Sequence, residues 1–142
     1  MIWPHGNWPP IVLSDGLKVG SSGGHGPIRY DVIEIVPLEI IRFRFTGPRG
    51  YDGVHYFKLE SINEKQVKLV HAIDMKLNGS AVLSWLLIFQ PLHDALIEDA
   101  FDRVSESVDI SVKRNNVKYP FRVRLIMRML GFLTRLIGRK VG

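Results

Sequence analysis

From Ile28 onward apolar and polar side chains alternate along the chain, a period of two that predicts strands. The alternation runs through Ile28–Val36, turns at Pro37 and Leu38, resumes over 39–46 and stops at the loop Gly47-Pro48-Arg49-Gly50. Two further strands are expected over 53–61 and Gln66–Leu77, joined by Ile62-Asn63-Glu64-Lys65. Connections this short join antiparallel neighbours, so the region reads as a meander. Ahead of it, residues 1–27 are rich in Pro and Gly and predict turns and loops, with a short strand or tight hairpin over 11–19 around Asp15-Gly16. After Asn78-Gly79-Ser80 the period changes to that of a helix over 81–90, kinked or restarted at Pro91 and continuing to about Val108. Placed at about 100° per residue, Leu92, His93, Leu96, Ile97, Ala100, Val104 and Val108 share one face, while Asp94, Glu98, Asp102 and Ser105 gather opposite. Residues 109–118 are polar and basic, and a final helical stretch is expected from about Pro120 to Arg139.

The same alternation says which side chains point inward. In Gln66–Leu77 the apolar set Val67, Leu69, Ile73, Met75 and Leu77 has the parity of His71; in 53–61, Phe57 and Leu59 have that of His55. With His93 on the apolar helix face, three imidazoles fall on faces that otherwise read as interior. An unpartnered buried polar group costs about 1–3 kcal/mol, so an interior cavity lined in part by imidazoles is expected. A satisfied core histidine is the plain alternative for any one of them. A metal site is not expected, because no inward carboxylate completes a two-His-one-carboxylate set. Asp94 and Glu98, four apart, read as a solvated helix face and not as an acid/base pair.

Composition narrows the classes. At 142 residues the chain holds one domain of ordinary size plus appendages, and without cysteine it has no disulfide, thiol catalysis or cysteine-ligated metal. That suits a reducing, cytoplasmic setting. The longest nearly unbroken apolar run, 81–89, is short of the ~20 residues of a membrane-spanning helix, so none is expected. The net charge of +5 is unevenly placed: all fourteen acidic residues lie in 1–112 against ten Lys and Arg, while the last 30 residues hold nine basic side chains and no acid. On the final helix Arg124, Arg128, Arg135 and Arg139 fall within one sector, with Val, Leu, Ile, Met and Phe over most of the rest. Such a basic amphipathic helix either docks on the body or lies at an anionic membrane surface as a peripheral contact. Nucleic acid is not an expected partner, since no base-reading motif or aromatic platform accompanies the arginines. Phosphate loops, G-x-S-x-G, H-E-x-x-H and G-x-G-x-x-G are absent.

The order of segments, together with the strings HGPIRY, FRFTGPRGYDGVHYF, VKLVHAIDMKLNG and FQPLHDALIEDAFDR, resembles the SRPBCC superfamily, the START-like and polyketide cyclase-like helix-grip proteins, over about residues 3–108. The resemblance implies an α+β helix-grip fold: a curved antiparallel sheet wrapped around a long helix, here followed by an extra basic amphipathic helix. The implied organisation is a helix-grip domain over 1–109, a linker over 110–118 and a terminal helix over 119–142. Carried over by position, the cavity is lined by Phe43, Phe45, His55, Phe57, Leu69, His71 and Ile73 from the sheet and by Trp85, Phe89, His93, Leu96 and Ala100 from the helix, with Tyr51 in a loop at its mouth. The expected function is binding or carriage of a small hydrophobic molecule (lipid, isoprenoid or polyketide-like), with no cofactor. The alternative is a cyclase- or dehydratase-like enzyme in which His55, His71 or His93 moves a proton. One departure is that Met1 falls almost inside the segment WPHGNWPP, before which the family has a strand. The expectation is either a start assigned too late or a missing edge strand, and the latter exposes backbone to pairing with a second copy.

Overall fold

The computed structural model describes residues 3, 4, 6, 8–108 and 119–138, with side chains of the last helix described as far as Leu130. Six strands, β1 (Val12–Leu13), β2 (Ser22–His25), β3 (Ile28–Val36), β4 (Ile40–Gly47), β5 (Tyr51–Asn63) and β6 (Gln66–Leu77), form one sheet in chain order. All five neighbouring pairs are antiparallel. Helical structure follows: α1 (Ala81–Ser84), a π-helical turn (Trp85–Phe89), α2 (Gln90–Val108) and α3 (Phe121–Gly138). The protein is therefore α+β, an antiparallel sheet followed by a long helix and a further C-terminal helix. The chain clusters into two units, His5–Val82 and Met1–Pro4 with Leu83–Gly142.

Cross-strand register sorts the sheet unit into two chemically different faces. Tyr30 stands opposite Phe45, Val32 opposite Phe43, Phe43 opposite His55, His55 opposite Ile73 and Phe57 opposite His71. Tyr30, Val32 and Phe43 are the buried centre of this apolar face, and Ile11, Leu13, Ile28, Ile35, Ile41 and Phe57 pack against them. Full burial of each large side chain contributes about 1.5–3 kcal/mol. The other face is charged: Glu34 pairs with Arg42 at 3.2 Å, Lys58 and Lys68 both reach Glu60, and the Arg42 guanidinium lies over the Tyr56 ring at 5.5 Å.

Several boundaries differ from the sequence expectation, each for a local reason. Ser22–His25, expected as loop, is β2, paired with β3 from Ser22 opposite Asp31 to His25 opposite Ile28. Its glycines are what make it a strand: a Cβ on Gly23 would sit 1.9 Å from the Val12 carbonyl oxygen, so only a bare backbone lets β1 approach. β5 begins at Tyr51 and runs to Asn63, longer at both ends than expected. At the far end Asn63 shapes a tight turn, its Oδ1 accepting from the Lys65 amide at 3.0 Å and its Nδ2 donating to Gln66 Oε1 at 2.8 Å. Gly53, with φ of +154°, lets β5 pass close to the Asp74 carbonyl.

At Pro91 the helix neither breaks nor restarts. Proline lacks an amide and its ring collides with the carbonyl four residues back. The preceding turn widens instead, and the Gln90 amide donates to the Trp85 carbonyl five residues earlier. Asp94, Glu98, Asp102 and Ser105 are exposed and Leu96 and Ala100 buried, as the wheel predicts, but Val108 is exposed. Although the apolar run is short, the helical stretch Ala81–Val108 is, among the described residues, the one helix long and apolar enough to cross a membrane by length and composition. From Asp94 onward it carries Asp94, Glu98, Asp99, Asp102, Arg103 and Glu106. The expected linker, 110–118, lies outside the described residues.

Candidate functional site

The apolar face of the sheet gathers five of the expected site residues into one chain of ring contacts. His55, on β5, is buried, and its ring stacks on Phe43 at 4.7 Å between centroids and on Phe45 at 5.0 Å, both from β4. Tyr30 meets His55 edge-on at 5.1 Å and Phe43 at 5.0 Å. From β6, His71 approaches His55 at 5.7 Å and Phe57 at 4.6 Å. Offset and edge-to-face ring pairs add about 0.5–1.5 kcal/mol each beyond the area they bury, so the cluster is a rigid platform. Ile73 stands opposite His55 and Leu69 opposite Leu59 on the same face. Phe45, Phe57, Leu69, His71 and Ile73 are each half-buried, so this flank of the platform keeps accessible surface while the Tyr30 flank is closed.

Tyr51 is not a loop residue: it is the first residue of β5, paired with Leu77 and 6% exposed. The turn from Pro48 brings it there, its amide donating to the Pro48 carbonyl at 3.2 Å.

The helical site residues belong to the other unit. Trp85 and Phe89 are on the π-helical turn, both half-buried, and the Trp85 ring lies 5.9 Å from that of His93. Burial pushes the His93 imidazole below its ordinary value of 6.5, opposed by the hydrogen bond and charge of Asp94, whose Oδ1 is 3.4 Å from Nδ1. The imidazole is thus held neutral, able to donate from one nitrogen and accept at the other. Leu96 is buried on α2. On α3, Val123 is buried, and Arg124 and Arg128 are exposed, as are Phe121, Leu125, Met129 and Leu130. The Arg135 side chain and Arg139 lie outside what the structure describes.

Three residues that sequence reasoning passed over belong to these environments. Tyr30 is 1% exposed, and its hydroxyl is 3.2 Å from His25 Nδ1. Burial, against the smaller opposing pull of Arg29, holds the phenol protonated far above the ordinary tyrosine range. Its parity with Ile28 and Val32 was a usable signal; His25, inside a glycine-rich stretch that reads as loop, gave none. Asp99 is 1% exposed on α2 and accepts a hydrogen bond from the Tyr119 hydroxyl. It stands three residues after Leu96, on the inward side of the wheel.

Among the described residues no group of three His, Asp or Glu is placed to hold a metal ion. No family model matches the chain, and neither the curated proteins nor the solved structures compared with it include a similar one.

Proposed function

We propose that the protein binds a small hydrophobic ligand, of lipid, isoprenoid or polyketide type, against the half-buried flank of the apolar sheet face. The observation that carries this reading is the placement of His55 and His71 in a continuous ring platform whose outer members, Phe45, Phe57, Leu69 and Ile73, remain half-buried. Apolar surface supplies the affinity, and an imidazole supplies one hydrogen bond to orient a carbonyl or hydroxyl, the usual division of labour in small-molecule sites. The order of sheet and long helix supports the same reading through the resemblance to the SRPBCC superfamily, to which we assign the chain within this proposal.

The test is titration with a fluorescent polyene fatty acid. Saturable binding is expected. Ile73→Glu, which puts a charge on the platform, abolishes it, and Lys76→Glu on the opposite face leaves it unchanged. His71→Ala weakens it about 5-fold, the equivalent of one hydrogen bond. Absence of saturable binding, or equal effects of the two glutamates, overturns the proposal. Mass spectrometry of the recovered probe separates a carrier, which returns it intact, from an enzyme.

A further inference from the structure

The two edges of the sheet are unlike. β1 is two residues long, too short to recruit a strand, whereas β6 is twelve residues with neither Pro nor Gly. Its register with β5 is unbroken from Tyr51 opposite Leu77 to Ser61 opposite Val67, so no bulge blunts it. Among the described residues no strand lies on its outer side. A long, regular strand at the end of a sheet is a template for another strand. Val67 leaves 66% of its surface exposed there.

We propose that β6 pairs with β6 of a second copy, antiparallel about a twofold axis through His71, joining the two sheets into one. Geometry and charge select this register. In β6 the backbone groups of alternate residues point outward, so outward residues of the two strands meet only when the axis passes through a residue. Two such registers use all but one of the twelve residues, with the axis at His71 or at Ala72. An axis at Ala72 sets Lys68 of each copy against Lys76 of the other, two like-charge pairs. An axis at His71 sets Lys68 of each copy against Asp74 of the other, two opposite-charge pairs, on the face where Lys68 already reaches Glu60 at 3.7 Å. On the apolar face the same register puts Val67 opposite Met75 and Leu69 opposite Ile73, and the two His71 rings meet at the axis. The edge is self-complementary in sequence as well as in backbone, and pairing extends the platform of one copy into that of the other. This inference is independent of the ligand proposal, because it rests on the outer edge and on the charged face.

The experiment is sedimentation velocity on the full chain and three variants over about 1–100 μM, with circular dichroism to confirm folding. The wild type is expected at twice 16.2 kDa. Lys68→Asp and Asp74→Lys each turn both cross-copy pairs into repulsions and raise the dimer dissociation constant roughly 10- to 100-fold. The double variant restores the dimer. Mixing the two single variants gives a heterodimer, because the acid introduced in one copy then faces the base introduced in the other, and the remaining pair is the native Lys68 with Asp74. A monomeric wild type overturns the proposal, as do folded single variants that still dimerise, or a double variant and a mixture that both stay monomeric.

Discussion

Removing one hydroxyl, by Tyr119→Phe, isolates the tie between α2 and α3. The Tyr119 hydroxyl donates to the Asp99 carboxylate, which is 1% exposed, two residues before α3 begins. The ring and its packing survive the change, so what is lost is a hydrogen bond to a carboxylate, a class that contributes about 1.5–3 kcal/mol. Because the bond joins residues 20 apart within one unit, its loss acts on local opening of α3 from α2 more than on the sheet. With RT near 0.59 kcal/mol, that energy corresponds to a roughly 10- to 150-fold larger open population. The assay is hydrogen exchange on α3 amides around Val123, whose side chain is 3% exposed. Their exchange is expected to accelerate by that factor while β3 and β4 amides are unchanged. Asp99→Asn, which keeps an acceptor but no charge, should fall between. In the Asp99→Asn/Tyr119→Phe double variant the effects should fall short of additive by at least about 0.5 kcal/mol. Acceleration of less than about twofold in Tyr119→Phe, or full additivity in the double variant, would refute the assignment of the α2–α3 tie to this bond.

Two other outcomes follow from the backbone of the sheet and from the half-buried imidazole of α2. Gly53→Ala places a Cβ 2.2 Å from the Asp74 carbonyl oxygen at φ of +154°, and should cost ~3 kcal/mol or more in urea unfolding. Gly79→Ala, at φ of +61° with open space around it, should cost only ~1–2 kcal/mol, and equal losses would mean that β5 and β6 do not approach as described. For His93, burial holds the folded-state value below 6.5, so between that value and 6.5 the unfolded chain binds more protons than the folded one. The stability this contributes is complete above pH 6.5 and is lost as the pH falls through the interval below it. His93→Gln should flatten the stability profile just below pH 6.5, by at most ~1.4 kcal/mol per pH unit. Identical slopes for wild type and variant would show that this imidazole is not desolvated.

What was readable in the sequence, and what was not, follows from how far each signal reaches along the chain. Strand parity is a local property, repeated over eight or more residues, and it put His55, Phe57, Leu69, His71 and Ile73 on one face without any knowledge of partners. Phe43 and Phe45 were expected beside them only through the family resemblance, and the pairing of Phe43 with His55 puts β4 in register with that face. The failures occur where a non-local contact decides. Ser22–His25 is a strand only because β1 and β3 close on it, and its glycines, read alone, signal a turn. Tyr51 is a strand residue only because Leu77 pairs with it across the sheet. The π-helical turn before Pro91 is a detail that the sequence rules for proline do not specify. Asp99 is buried on α2 and accepts a hydrogen bond from a tyrosine twenty residues on, a contact that no periodicity reveals. The β6 edge combines both scales. Its alternation is local, but the pairing of Lys68 with Asp74 about His71 appears only when the strand is read against its own reverse. A segment that serves as its own partner carries this information in one stretch of sequence, and the charge-swap variants test whether the protein uses it.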